Sequence, residues 1–178
     1  MQRDLHHGLL GRRRLAAAVL MYGLAALGGT GSPPAMAAGG TASARAAAPL
    51  HDLDRDEALG GHTIERHTGK SDEELALRLS RERHISAAST YTDVETARRV
   101  VAAAIEQSKD RLDAWARRSG ARPNLVLNYV QRGGRPIGRV LARGERVSRS
   151  CMRALVVIRW HQRRGTWYVL TSYPEAGR

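Results

Sequence analysis

The chain of 178 residues contains no phenylalanine, only one cysteine and only two lysines. A lone thiol, Cys151, makes no intrachain disulfide and builds no cysteine-based zinc cluster. A small secreted scaffold stapled by disulfides is excluded. Nothing around Cys151 marks it as activated, so it reads as an inert thiol. The chain also lacks HExxH, Walker A and GxGxxG motifs, the usual short signatures of zinc, phosphate and dinucleotide sites. Hydrophobic residues make up 42%, which suffices for a core and argues against disorder throughout. The length fits one folded domain.

Acids are nearly missing from one stretch. Residues 114–178 carry fourteen arginines against Glu145 and Glu175, a net +12. Residues 50–113 carry ten basic and fourteen acidic side chains, a net −4. Genome composition is one account of arginine in place of lysine. It does not explain why acids vanish after Asp113. A basic half of this kind points to a polyanionic partner, whether nucleic acid, an anionic membrane or an acidic protein.

The first residues read as an export signal over 1–37. Arg12, Arg13 and Arg14 precede an uncharged apolar run, 15–27, and Ala35-Met36-Ala37 fits a small-x-small cleavage site. The run is short for a membrane span of about 20 residues. Cleavage with no lasting membrane insertion is therefore expected, and a retained anchor is the alternative. The mature chain is expected to be secreted or periplasmic, and monomeric. No cysteine follows the run, which excludes lipid anchoring at a lipobox. Residues 38–49 read as a flexible linker, and the folded domain is placed at 50–178.

Within that domain, helices precede strands. Asp54, Asp56 and Glu57 suit a helix N-terminus, and Gly60-Gly61 interrupts the helix they open. A short helical stretch at 62–67 stops at Gly69. Ser71 and Glu74 form a capping box for a helix to about residue 81, with Leu75 and Leu79 inward. Residues 85–92 read as a strand. Thr92 and Glu95 read as a second capping box, opening a long helix over 93–118 that breaks near Ser108. Its apolar stripe is Val94, Ala97, Val101, Ile105 and Leu112. After Gly120 the period becomes two. Strands are predicted at 124–130, 136–141, 152–160 and 166–173, with a tight turn at 161–165. Segregated helices and hairpin strands indicate α+β with an antiparallel sheet.

Metal-free chemistry is available to these residues. His67 titrates near neutrality and can move a proton. Arg78 is permanently charged and suits a phosphate or phosphorane oxyanion. Thr171 and Tyr173 alternate onto one face of the last strand. A base, a cation and two hydroxyls suffice in kind for attack of a ribose 2′-hydroxyl on its own 3′-phosphate. Each residue has an ordinary alternative. His67 can cap its helix C-terminus, Arg78 can pair with Glu74 at i,i+4, and Thr171 and Tyr173 can be routine strand residues. His62 rivals His67 as base. The two are five residues apart, about 140° around a regular helix, so they do not chelate one ion together from such a helix. His84 and His161 read as loop residues. Trp115 reads as core, and for Trp160 and Trp167 a core role outweighs stacking on bases.

The segments HDLDRDEALGGHTIERHTGKSDEELALRL, HISAASTYTD, GRPIGRVL and YVLTSYPE resemble the ribonuclease A-like toxin domain of bacteria. That domain ends contact-dependent growth inhibition proteins of the CdiA type, and the resemblance spans about 50–175. It implies N-terminal helices packed on a bent antiparallel sheet, as in ribonuclease A but without disulfides. It implies metal-independent RNA cleavage, no cofactor, an RNA substrate and a cognate immunity protein. It also implies an active site of a histidine, an arginine eleven residues later and a Thr-x-Tyr on the last strand. His67, Arg78, Thr171 and Tyr173 match that spacing. Choosing His62 instead would put Glu73 at the arginine position. Pancreatic-type enzymes use two histidines, and the last strand here carries none. Two other readings remain at this point: a non-catalytic basic module for RNA or another polyanion, and an enzyme acting on a different phosphate ester.

Overall fold

The computed structural model describes residues 49–177. The expected signal segment, and all but the last residue of the expected linker, lie outside the described residues. The elements run α1 (Leu53–Ala58), α2 (Thr63–His67), α3 (Asp72–Arg81), β1 (Ala87–Tyr91), α4 (Val94–Gln107), α5 (Lys109–Ala116), β2 (Leu125–Val130), β3 (Gly138–Ala142), β4 (Arg149–Cys151), β5 (Arg153–His161) and β6 (Thr166–Glu175). All strand pairs are antiparallel, in two ladders ordered β1-β3-β4 and β2-β5-β6. The chain is α+β.

Side chains that take free backbone N–H groups start the helices. Asp52 accepts from Arg55 N at α1. The Ser71–Glu74 capping box is present at α3. At α4 the expected box from Thr92 is replaced by Asp93, whose carboxylate accepts from Thr96 N. Asp93 immediately precedes the first helical residue, so its carboxylate reaches the third N–H of the helix. The long helix does break at Ser108, giving α4 and α5.

Two apolar clusters hold the fold. In the larger, Val100, Val101 and Ala104 of α4 and Leu112 and Trp115 of α5 pack on Leu127, Val156, Ile158 and Val169. The buried stripe of α4 is Ala97, Val100, Val101 and Ala104, while Val94 and Ile105 sit at its edge. The smaller cluster is Leu75 and Leu79 of α3 on Ala88 and Leu141. Strand β2 alternates buried and exposed along its length. Strand β4 was not expected. It has three residues, and Arg149 and Ser150 are exposed, so it carries no period-two signature. His161 ends β5 rather than lying in a loop.

The tryptophans serve packing. Trp115 donates from Nε1 to the Pro123 carbonyl at 2.8 Å. Trp160 meets Trp115 edge-on, with Arg122 over its ring at 4.2 Å. Trp167 stacks on His51. Cys151 is buried, and desolvation pushes its thiol up to about 11. Among the described residues no helix is long and apolar enough to cross a membrane.

Candidate active site

Helices α2 and α3 and strand β6, with β1 and β3 beside them, meet around one cavity of about 520 Å³, whose lining includes His62, His67, Arg78, Thr171 and Tyr173. The local sequence explains how each arrives there.

Strand β6 delivers the hydroxyls. Opposite β5 its register shifts: Val157 pairs with Thr171 but Ile158 pairs with Val169, so Leu170 is an extra residue, a β-bulge. A bulge bends a strand and re-aims the side chains beyond it. Ser172, fully buried between the two cavity residues, anchors the strand from behind. Its N–H donates to Thr63 Oγ1 at 2.9 Å, its hydroxyl donates to the Leu155 carbonyl at 2.9 Å, and Tyr91 donates to it at 2.6 Å. Thr171 and Tyr173 therefore face the cavity while Ser172 faces the core. The buried Thr171 Oγ1 has no hydrogen-bond partner among the described residues.

The α1–α2 junction docks on that bulge. His62 N donates to the Leu170 carbonyl at 3.0 Å, and the buried Asp56 carboxylate accepts from Val169 N at 3.1 Å. Gly61 sits in the seam. A Cβ there would lie 2.5 Å from the Val169 carbonyl oxygen, so no larger residue fits without shifting backbone. Glu57 reaches from α1 to accept from the first N–H groups of α2.

His67 ends α2 and is 6% exposed. It does not act as a solvent-facing helix cap. Its Nδ1 lies 3.3 Å from the Ser89 carbonyl of β1 and 3.5 Å from Arg78 Nη1. Donation from Nδ1 to Ser89 leaves a lone pair on Nε2. Burial, reinforced by the Arg78 charge, drives its pKa down to about 3, so the imidazole is neutral at physiological pH. Its ring centroid is 5.3 Å from that of Tyr173.

Arg78 rides on α3, and its partner is Glu82 rather than Glu74. Nε donates to Glu82 Oε1 at 3.2 Å. Glu74 is engaged in the capping box, accepting from Ser71 N. The fork to Glu82 turns Nη1 toward His67. Burial, and then the Glu175 charge, raises the Tyr173 pKa, which keeps its phenol a donor.

His62 lies beside His67, with ring centroids 6.5 Å apart. The helical separation expected for the pair does not apply, because His62 is the N-cap with φ −156° and stands outside the regular helix. Burial, then the Arg66 charge, lowers its pKa. Sequence reasoning also missed two lining residues, His84 and Glu175. His84 follows a helix and precedes a strand without any periodic signal. Glu175 is marked in the sequence only by being one of two acids after Asp113. Among the described residues no group of three or more His, Cys, Asp or Glu is placed to hold a metal ion.

A buried neutral imidazole, a guanidinium and two hydroxyls thus line one cavity, groups that suit a phosphate ester in kind. The model of the bacterial CdiA-CT RNase A domain family matches residues 61–174. The chain belongs to this family. At family level it is a toxin-type endoribonuclease. Among solved structures it is similar to the crystal structure of a CdiA-CT/CdiI complex from Y. kristensenii 33638, with 30% identity and a TM-score of 0.57 over 65% of this chain and 100% of that one. No curated protein matches the chain. The family match contains His62, His67, Arg78, Thr171 and Tyr173, and it ends one residue before Glu175.

Proposed function

We propose that this CdiA-CT domain cleaves RNA without a metal, by attack of a ribose 2′-hydroxyl on the adjacent phosphate. The observation that carries the reading is the convergence of His67, Arg78 and the unpartnered Thr171 hydroxyl on one cavity. His67 Nε2 takes the 2′ proton as the new P–O2′ bond forms. The P–O5′ bond breaks, leaving a 2′,3′-cyclic phosphate. Arg78 and the Tyr173 phenol stabilise the phosphorane oxygens, and Thr171 holds a non-bridging oxygen.

The departing 5′ oxygen takes a proton from His62. Environments that push two titratable groups apart divide the acid and base roles. His67 is the more deeply buried of the pair and carries the larger downward shift. The proton that the bound phosphate draws into the pair therefore resides on His62. The mature domain is further proposed to be exported through the N-terminal signal, as a secreted or periplasmic protein, and to be held inactive by an immunity protein.

The test is labelled RNA incubated with the chain in EDTA, beside His67→Ala. Cleavage by the parent chain alone, with cyclic or 3′-phosphate ends, is expected. Intact RNA with a folded parent chain would overturn the reading and favour a basic binding module. His62→Ala should depress the acidic limb of the pH–rate profile more than it depresses binding. Mass spectrometry of the exported chain should find a start near residue 38.

A further inference from the structure

A carboxylate is out of place in a cavity for a polyanion, because it repels every phosphate brought near it. Residues 114–178 contain just two acids. Glu145 pairs with Arg149 on the surface. Glu175 lines the catalytic cavity and makes no ion pair among the described residues, even with its cross-strand neighbour Arg153.

Position gives this carboxylate a task. Glu175 is two residues beyond Tyr173 on the same face of β6, ~7 Å along the strand. That is about the reach from a ribose 3′-phosphate to the pairing edge of its own base. The same cavity is also lined by Ser86, Ala87 and Ala88, small residues, and by His84 and Ile85. A cavity of about 520 Å³ lies within the usual range for small-molecule sites.

We propose that Glu175 reads the base 5′ to the scissile bond and selects guanine. This rests on the ribonuclease reading above. An ionised carboxylate only accepts hydrogen bonds. Guanine presents two adjacent donors, N1–H and its 2-amino group, which match both carboxylate oxygens as an arginine fork does. Cytosine and adenine present one amino group beside a ring nitrogen acceptor. Uracil presents one N–H between two carbonyls. In each of those three bases an acceptor faces the carboxylate and repels it.

The test uses four DNA oligonucleotides, each with a single ribonucleotide, so that each has one cleavable position. The full chain is expected to cleave at rG about tenfold or more faster than at rU, the range for one bidentate contact. Glu175→Gln, which swaps one acceptor for a donor, should lower the rG:rU ratio by about tenfold. Binding of guanosine 3′-monophosphate against uridine 3′-monophosphate, measured by titration, gives a readout free of turnover. The same preference, lost in Glu175→Gln, is expected there. Cleavage with equal ratios in both chains overturns the role of Glu175 and leaves the ribonuclease reading standing. A guanine preference in binding with no cleavage of any oligonucleotide overturns the ribonuclease reading and supports the base site.

Discussion

The two sheets are held in different ways. Ladder β2-β5-β6 rests on the large cluster, where α4 and α5 cover Leu127, Val156, Ile158 and Val169. Ladder β1-β3-β4 shares the large cluster only through Tyr91 and the adjoining Ile137, and otherwise rests on the smaller cluster of Leu75, Leu79, Ala88 and Leu141, with polar ties beside it. Asp72 accepts from Arg139 Nε at 2.9 Å and from the Ser148 hydroxyl at 2.7 Å. Those Ser148 hydrogen bonds, with the Arg139 charge, hold its carboxyl below the usual range. Arg143 donates to the Glu82 and Ile85 carbonyls, both at 2.9 Å. The site straddles the difference. Thr171 and Tyr173 come from the heavily packed ladder, Arg78 comes from the lightly packed side, and His67 is bonded to β1. Loss of the site therefore need not await global unfolding, since local opening proceeds where apolar contacts are few.

The largest effect expected is from acid. The folded pKa of His67 is about 3, below its unfolded value of about 6.5. The unfolded chain binds more protons between those values. The stability linked to His67 is complete above about pH 6.5 and falls as pH drops toward 3, by roughly 5 kcal/mol in all. Amide exchange should show β1 and α3 opening earlier in that window than β2 and β5. In His67→Gln the pH dependence should flatten, and an unchanged acid profile would show that the ring is not held neutral.

Truncation in the large cluster comes next. Leu127→Ala should cost about 3 kcal/mol of global stability in urea unfolding, while the folded fraction keeps its kcat. Leu79→Ala should cost about 2 kcal/mol, yet lower kcat beyond the unfolded fraction, because α3 carries Arg78. Equal behaviour of the two variants would erase the distinction between the ladders. The smallest change is Ser71→Ala. It removes a cap worth about 1 kcal/mol and should loosen α3 in amide exchange before it moves the global midpoint.

Much of this was legible in the sequence where one local signal suffices. Ser71 and Glu74 are three apart before an apolar run, and the box they predict is formed. The break at Ser108 and the alternation of β2 were readable on the same grounds. The Thr92 box failed because Asp93, one residue nearer the helix, is itself the N-cap and accepts from Thr96 N. The relation between His62 and His67 was not readable. The separation of about 140° holds for a regular helix, whereas the docking of His62 N on Leu170 takes that residue out of the helix. The Leu170 bulge depends on the register of two strands and leaves no mark in the spacing of β6. The ordinary alternative for Arg78, a pair with Glu74, is not distinguishable in the sequence from one with Glu82, because i−4 and i+4 carboxylates look alike until the capping box claims Glu74.

The bulge at Leu170 bears also on how copies of this chain meet. Strand β6 is an edge of its ladder and runs for ten residues, long enough to offer a second molecule a row of unpaired backbone groups. The bulge breaks that row after Val169, and Pro174 removes a donor near its end. At the bulge itself the α1–α2 junction occupies the Val169 N–H and the Leu170 carbonyl. The same distortion that aims two hydroxyls into the cavity thus leaves no straight edge on which intermolecular β-pairing could start, and a variant that irons it out should aggregate.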